Sequence, residues 1–282
     1  MVKKIIITFA AITVVGATLG FVYRGKIRDA ILESQKNNLP EAISYSQAKK
    51  KLTFINGEIE TMEIIPVEGD LKSGNFLTPN EEKIQEEENV DVDLPESFNL
   101  AVPFTSQAPF AVWDEIHKEA CEEASALMAA RFVSGEDIKS ANDAERDILK
   151  IVDWEKSYFG FWKDTDAEKT AEILRNYFGL KNTEVKYDVF IEDIKTEIVA
   201  GNPVIVPMAG RELYNPYYTP PGPFYHMLVV KGYTKDSLIT NDPGTKHGAD
   251  YVYREDIFYD ALHDWNNGDV MNGKKMMIIV KK

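Results

Sequence analysis

The sequence predicts an α+β domain built on an antiparallel sheet, and three observations predict it. Helical periodicity fills the stretch from about residue 119 to 200, while short β-branched runs bounded by turn residues fill the stretch from about 203 to 282. The two kinds of pattern hardly interleave, as the βαβ units of a parallel sheet would require, so helices packed on hairpin-linked strands are favoured. The compact pattern of aromatics, Gly and Pro begins near Phe98 and leaves about 185 residues to Lys282, which suits one domain.

Taken from the N-terminus, the first element is an apolar run without a charge from Ile5 to Tyr23. Its 19 residues would span about 28 Å as a helix, close to the hydrocarbon thickness of a bilayer. Lys3 and Lys4 precede it; Arg24, Lys26 and Arg28 follow. The expectation is a single-pass membrane anchor over residues 1–27 with the rest of the chain extracytoplasmic. The rival is a signal peptide cut near Val15-Gly16-Ala17, which would leave a secreted protein.

Residues 28–98 read as a spacer: a polar helical stretch at "RDAILESQKNN", a strand pair turning at Asn56-Gly57, and a carboxylate run from Asn80 to Ser97. That run has too little apolar surface to offset ordering, so a solvated linker is expected. Residues 99–282 form the expected domain. "KEACEEASALMAARFVSGE" ends as a helix at Gly135, and "DAERDILKIVDWEKSYFG" and "TDAEKTAEILRNYFGL" are two more helices closed by glycine. "VFIEDIKTEIVAGN" is a fourth, and "REDIFYDALHDW" a surface helix carrying His263. Strands are expected at "NPVIVPMAG", "YHMLVVKGY", "DSLITNDPG", "ADYVYRE" and "KKMMIIVKK".

Composition narrows the chemistry. The formal net charge of −14 argues against nucleic acid as a partner. A single cysteine, Cys121, excludes an intrachain disulfide and any zinc site built from several thiolates. That cysteine stands where a helix begins, and a helix N-terminus favours thiolate through its unpaired N–H groups.

A nucleophilic thiol needs a base, and the base needs an orienting group. His226 heads one strand, and the next strand ends in Asn241 and Asp242. In a hairpin joined by "GYTKDS" the start of the first strand lies beside the end of the second, so His226 and Asp242 should be neighbours. His117, His247 and His263 have no carboxylate placed by strand register. Gln107, in the loop that leads to the helix, offers an amide for an oxyanion, with the Cys121 N–H as a second donor.

In their order, "VPFTSQAPF", "CEEASALM", "YHMLVVKGY" and "NDPGT" resemble papain-like cysteine peptidases, specifically relatives of the bacteriocin-processing, double-glycine leader peptidases. The resemblance covers about Leu100 to Lys282. It implies a papain-like fold and a thiol hydrolase that cuts peptide or amide bonds through an acyl-enzyme. It also implies Cys121 as nucleophile, His226 as base and later acid, Asp242 as orienting group and Gln107 as oxyanion residue. Asn241 is the alternative to Asp242, since both residue types serve in thiol triads. No metal or organic cofactor is implied; the substrate is a peptide or protein, with cell-wall peptide among the options, and oligomeric state is left open. Family members often carry Gly or Pro after the cysteine, whereas Glu122 and Glu123 follow here and would raise the thiol pKa. The rival from another class is a domain without turnover that binds peptide or wall material at the cell surface.

Overall fold

The computed structural model describes residues 25–51 and 94–282. The apolar run of Ile5–Tyr23, the Asn56-Gly57 hairpin and nearly all of the acidic run lie outside the described residues. Among the described residues no helix is long and apolar enough to cross a membrane.

Seven antiparallel strands form one sheet in the order β2-β7-β3-β4-β5-β6, with β1 paired to β4 off that path. These are β1 (Phe98–Asn99), β2 (Glu184–Tyr187), β3 (Val204–Met208), β4 (His226–Tyr233), β5 (Ser237–Asn241), β6 (Tyr251–Arg254) and β7 (Met276–Ile279). Residues 25–37 (α1) and 45–51 (α2) are helical. In the domain follow α3 (Cys121–Ser134), α4 (Ala141–Tyr158), α5 (Ala167–Glu172), α6 (Ile191–Val199) and α7 (Glu255–Ala261). Most helices precede most strands, as expected, although β1 and β2 come ahead of α6 and α7 lies between β6 and β7, and the result is the expected mixed fold with an antiparallel sheet.

Helix α3 forms the centre. Its alanines and Leu127, Met128 and Val133 are buried, and small side chains let it lie close against β4 and α4. It stops at Gly135, which takes the left-handed conformation (φ 71°) and donates its N–H to the Phe132 carbonyl. Helix α4 starts where the Ser140 hydroxyl accepts from Asp143 N–H at 3.2 Å, satisfying one orphan donor of its first turn. Strand β4 is buried along its whole length, as a central strand covered on both faces must be.

Four details differ from expectation. The "TDAEKTAEILRNYFGL" helix is not uniform: after α5 it widens into a π turn over Ile173–Tyr177, where Phe178 N–H reaches the Ile173 carbonyl. Two strands were not expected, the two-residue β1 and the mostly exposed β2. Helix α7 ends at Ala261, so His263 lies beyond it, with Nδ1 2.8 Å from the Gly273 carbonyl. The described part of the expected spacer is docked on the domain. Ile43 N–H donates to the Asn99 carbonyl (3.0 Å), Ala101 N–H donates to the Ile43 carbonyl (2.8 Å), and the Arg28 guanidinium lies 4.4 Å from the Tyr217 ring centroid.

Candidate active site

The site forms where α3 begins and β4 and β5 meet. β4 runs antiparallel to β5 with Val229 opposite Asn241, so His226 and Asp242 flank the same end of the pair. His226 Nε2 lies 2.8 Å from Asp242 Oδ1. The ionised carboxylate only accepts, so the proton sits on Nε2 and Nδ1 is left as the basic nitrogen.

Asp242 is fully buried and held by more than the histidine. The hydroxyls of Tyr218 (2.7 Å) and Tyr253 (2.6 Å) and the Asn215 amide (3.1 Å) donate to its Oδ2, and Gly244 N–H donates to Oδ1 at 2.9 Å. Burial works to raise its pKa; the His226 charge and hydrogen bond, followed by the two tyrosines, outweigh it and bring it below the usual value. Gly244 is needed for closeness, because a Cβ there would stand 2.9 Å from Tyr218 Cε1 and 3.0 Å from His226 Cε1. Asn241 points elsewhere: its amide donates to the Val102 (3.0 Å) and Pro103 (3.2 Å) carbonyls and its Oδ1 accepts from Asp250 N–H. Of the two alternatives, Asp242 meets the imidazole.

Cys121 is the first residue of α3 and 6% exposed. Its sulfur sits against the main chain just after His226, where the Met227 N–H favours thiolate; one turn along, Ser125 Oγ donates to the Met227 carbonyl at 3.2 Å. Sγ makes no hydrogen bond to His226. It bonds instead to Glu122 Oε2 at 2.9 Å. The helix terminus was expected to yield a thiolate, but burial first, then the Glu122 charge and hydrogen bond, push the thiol well above its ordinary value.

Gln107 is 3% exposed, with N–H donated to the Pro243 carbonyl (2.9 Å) and Nε2 to the His117 carbonyl (2.9 Å). One Nε2 hydrogen is thereby used and the other is left for a ligand. His117, expected only in a polar loop, lies between Asp114 Oδ1 (2.8 Å) and Glu145 Oε2 (3.0 Å) and so anchors the loop that carries Gln107.

Cys121, Glu122, Gln107 and His226 all line one cleft of about 810 Å³. The insert between Gln107 and Cys121 forms a wall through Trp113 and Glu119, and the Tyr- and Pro-rich loop before β4 adds Tyr217 and Pro223. That loop also sends Tyr218 inward to Asp242, a contact its turn-rich sequence does not reveal. The "HDWNNGDVMNG" segment takes no part in the lining; its Asp264 instead accepts from Tyr225 Oη (2.9 Å) and Ala167 N–H (3.1 Å). Arg28 of α1 reaches the rim, where Tyr217 stacks on His247 with ring centroids 4.3 Å apart.

Behind the thiol, Glu123 of α3 and Glu155 of α4 are both fully buried, and neither finds a hydrogen-bond donor in the protein around it. They face one another, and only a retained proton lets them bond. Burial raises both, Glu155 to about 8.

Residues 99–268 match the model of the Peptidase C39 like family. Among solved structures, one described as a C39-like peptidase from Bacillus anthracis is similar over 67% of this chain and 99% of its own, at 18% identity and a TM-score of 0.46. No curated protein matches significantly.

Proposed function

Since the chain belongs to the Peptidase C39-like family, we propose that it is a cysteine peptidase that cleaves peptide or amide bonds through an acyl-enzyme, in a domain spanning residues 99–282. The observation that carries this reading is the buried His226–Asp242 pair, 2.8 Å apart, beside the cleft that also holds Cys121, the one cysteine of the sequence.

Asp242 fixes the tautomer, so Nδ1 of His226 accepts the Sγ proton and the thiolate attacks the substrate carbonyl. The free Nε2–H of Gln107 and the unpaired N–H at the start of α3 receive the negative oxygen. His226 then returns its proton to the leaving amine, and water activated by the same imidazole releases the acyl group. The length and basic flanks of Ile5–Tyr23 support a membrane anchor with the domain outside the cytoplasm. The substrates in view are proteins, secreted peptides and cell-wall peptide stems.

The test is a digest of a peptide library and of isolated wall peptides, with Cys121→Ala and His226→Ala as controls. Products from the wild type that vanish in both variants support the reading. No products overturn it and leave a binding domain in its place; products that persist in Cys121→Ala overturn it by showing that the thiol is not the nucleophile.

A further inference from the structure

Glu122 lines the cleft beside the nucleophile, yet hydrolysis as proposed gives it no step. It is 1% exposed, and its Oε2 is the hydrogen-bond partner of Cys121 Sγ at 2.9 Å, a position that His226 would have to take for proton transfer. We propose that Glu122 is a positioning residue: its carboxyl holds the Cys121 thiol in a resting hydrogen bond, and the sulfur reaches His226 only by leaving that partner.

The inference rests on Cys121 being the nucleophile. Turning Sγ from Oε2 to Nδ1 breaks one hydrogen bond and no covalent bond. The proton then passes from Sγ to Nδ1, leaving thiolate and imidazolium, while Glu122 keeps its own protonation state. The cost of that turn is one hydrogen bond, small enough for a substrate entering the cleft to supply.

The charges around Glu122 come from several elements. Glu123 lies beside it on α3, Asp164 approaches from the α4–α5 loop, and Tyr225 from the segment before β4; all stand near enough to interact with its charge. Against the thiol itself, the Met227 N–H favours thiolate, and Glu122 and then Glu123 oppose it. Burial first and then the Glu123 charge push the Glu122 carboxyl well above its ordinary value, and once ionised it makes the thiol harder to deprotonate.

The experiment is the pH profile of iodoacetamide labelling of Cys121 in the full chain, with peptide hydrolysis measured in parallel. Glu122→Gln keeps the shape and removes the charge. Its labelling midpoint should fall, because the thiol then ionises with no carboxylate beside it. Glu122→Asp, which retains the charge, should stay nearer the wild-type profile. A Glu122→Gln profile that superimposes on wild type overturns the proposal, whether or not peptide is cleaved. If circular dichroism shows Glu122→Gln unfolded, Glu122→Ala carries the same comparison with the same two outcomes. A shifted midpoint in a protein that cleaves nothing would overturn the peptidase reading and leave the hydrogen bond intact.

Discussion

Replacing Glu155 by Gln should stabilise the domain near neutral pH, and the gain should itself depend on pH. Glu155 is held at about 8 against an ordinary 4.5, so between those values the folded protein keeps a proton that the unfolded chain has released. Stability must therefore fall as pH rises through this window, with a limiting slope of about 1.4 kcal/mol per pH unit. Since pH 7 lies about 2.5 units above the unfolded value of 4.5, the loss there is roughly 3 kcal/mol as an upper limit. Gln cannot ionise, and its amide can donate to Glu123, so the variant should recover much of that energy while leaving α3 and α4 packed. Urea unfolding between about pH 5 and 8 measures it: the two stability curves should nearly meet at the acid end and separate as pH rises, by up to roughly 3 kcal/mol at pH 7. Curves that stay parallel, or a variant less stable at pH 7, would refute the reasoning that these carboxyls retain protons.

Asp242→Ala removes the acceptor that fixes the His226 tautomer and should lower kcat on any cleaved peptide by roughly 10²–10⁴-fold, as steady-state kinetics on folded protein would show. Tyr253→Phe removes one donor to a buried carboxylate and should cost about 1.5–3 kcal/mol in denaturant unfolding. Asn241→Ala should instead weaken the anchoring of the Val102–Pro103 segment, reducing stability by about 1–3 kcal/mol while leaving the pH profile of hydrolysis unmoved. Gly244→Ala should crowd Tyr218 and His226, with loss of activity exceeding loss of stability; equal losses would show that the loop simply moves aside.

Much of this molecule is legible in its sequence because local chemistry and tertiary packing agree there. Gly135 ends α3 as its position predicts, and the turn between β4 and β5 brings His226 to Asp242 by hairpin geometry. The elements that escaped have little signal of their own. β2 is a four-residue edge strand with mostly exposed side chains, so no alternation marks it, and β1 is two residues long. The π turn at Ile173–Tyr177 changes register inside an apolar pattern that a regular helix would share. The shell around Asp242 comes from two segments, the loop that carries Asn215 and Tyr218 and the strand β6 that carries Tyr253, each of which reads as an ordinary loop or strand. Glu122 is instructive in another way: a carboxylate in a first helical turn normally faces solvent, and only the packing of β4 and the Tyr225 segment encloses it with the thiol.

Ile43 is laced on both sides to the main chain of Asn99 and Ala101, so residues 25–51 are held to the domain by contacts of their own. A cut in the chain between residues 51 and 94 would therefore sever the polypeptide without parting it. The fragment bearing Arg28 would stay fastened at the mouth of the cleft, and a gel run in detergent would report two pieces where a sizing column still found one particle.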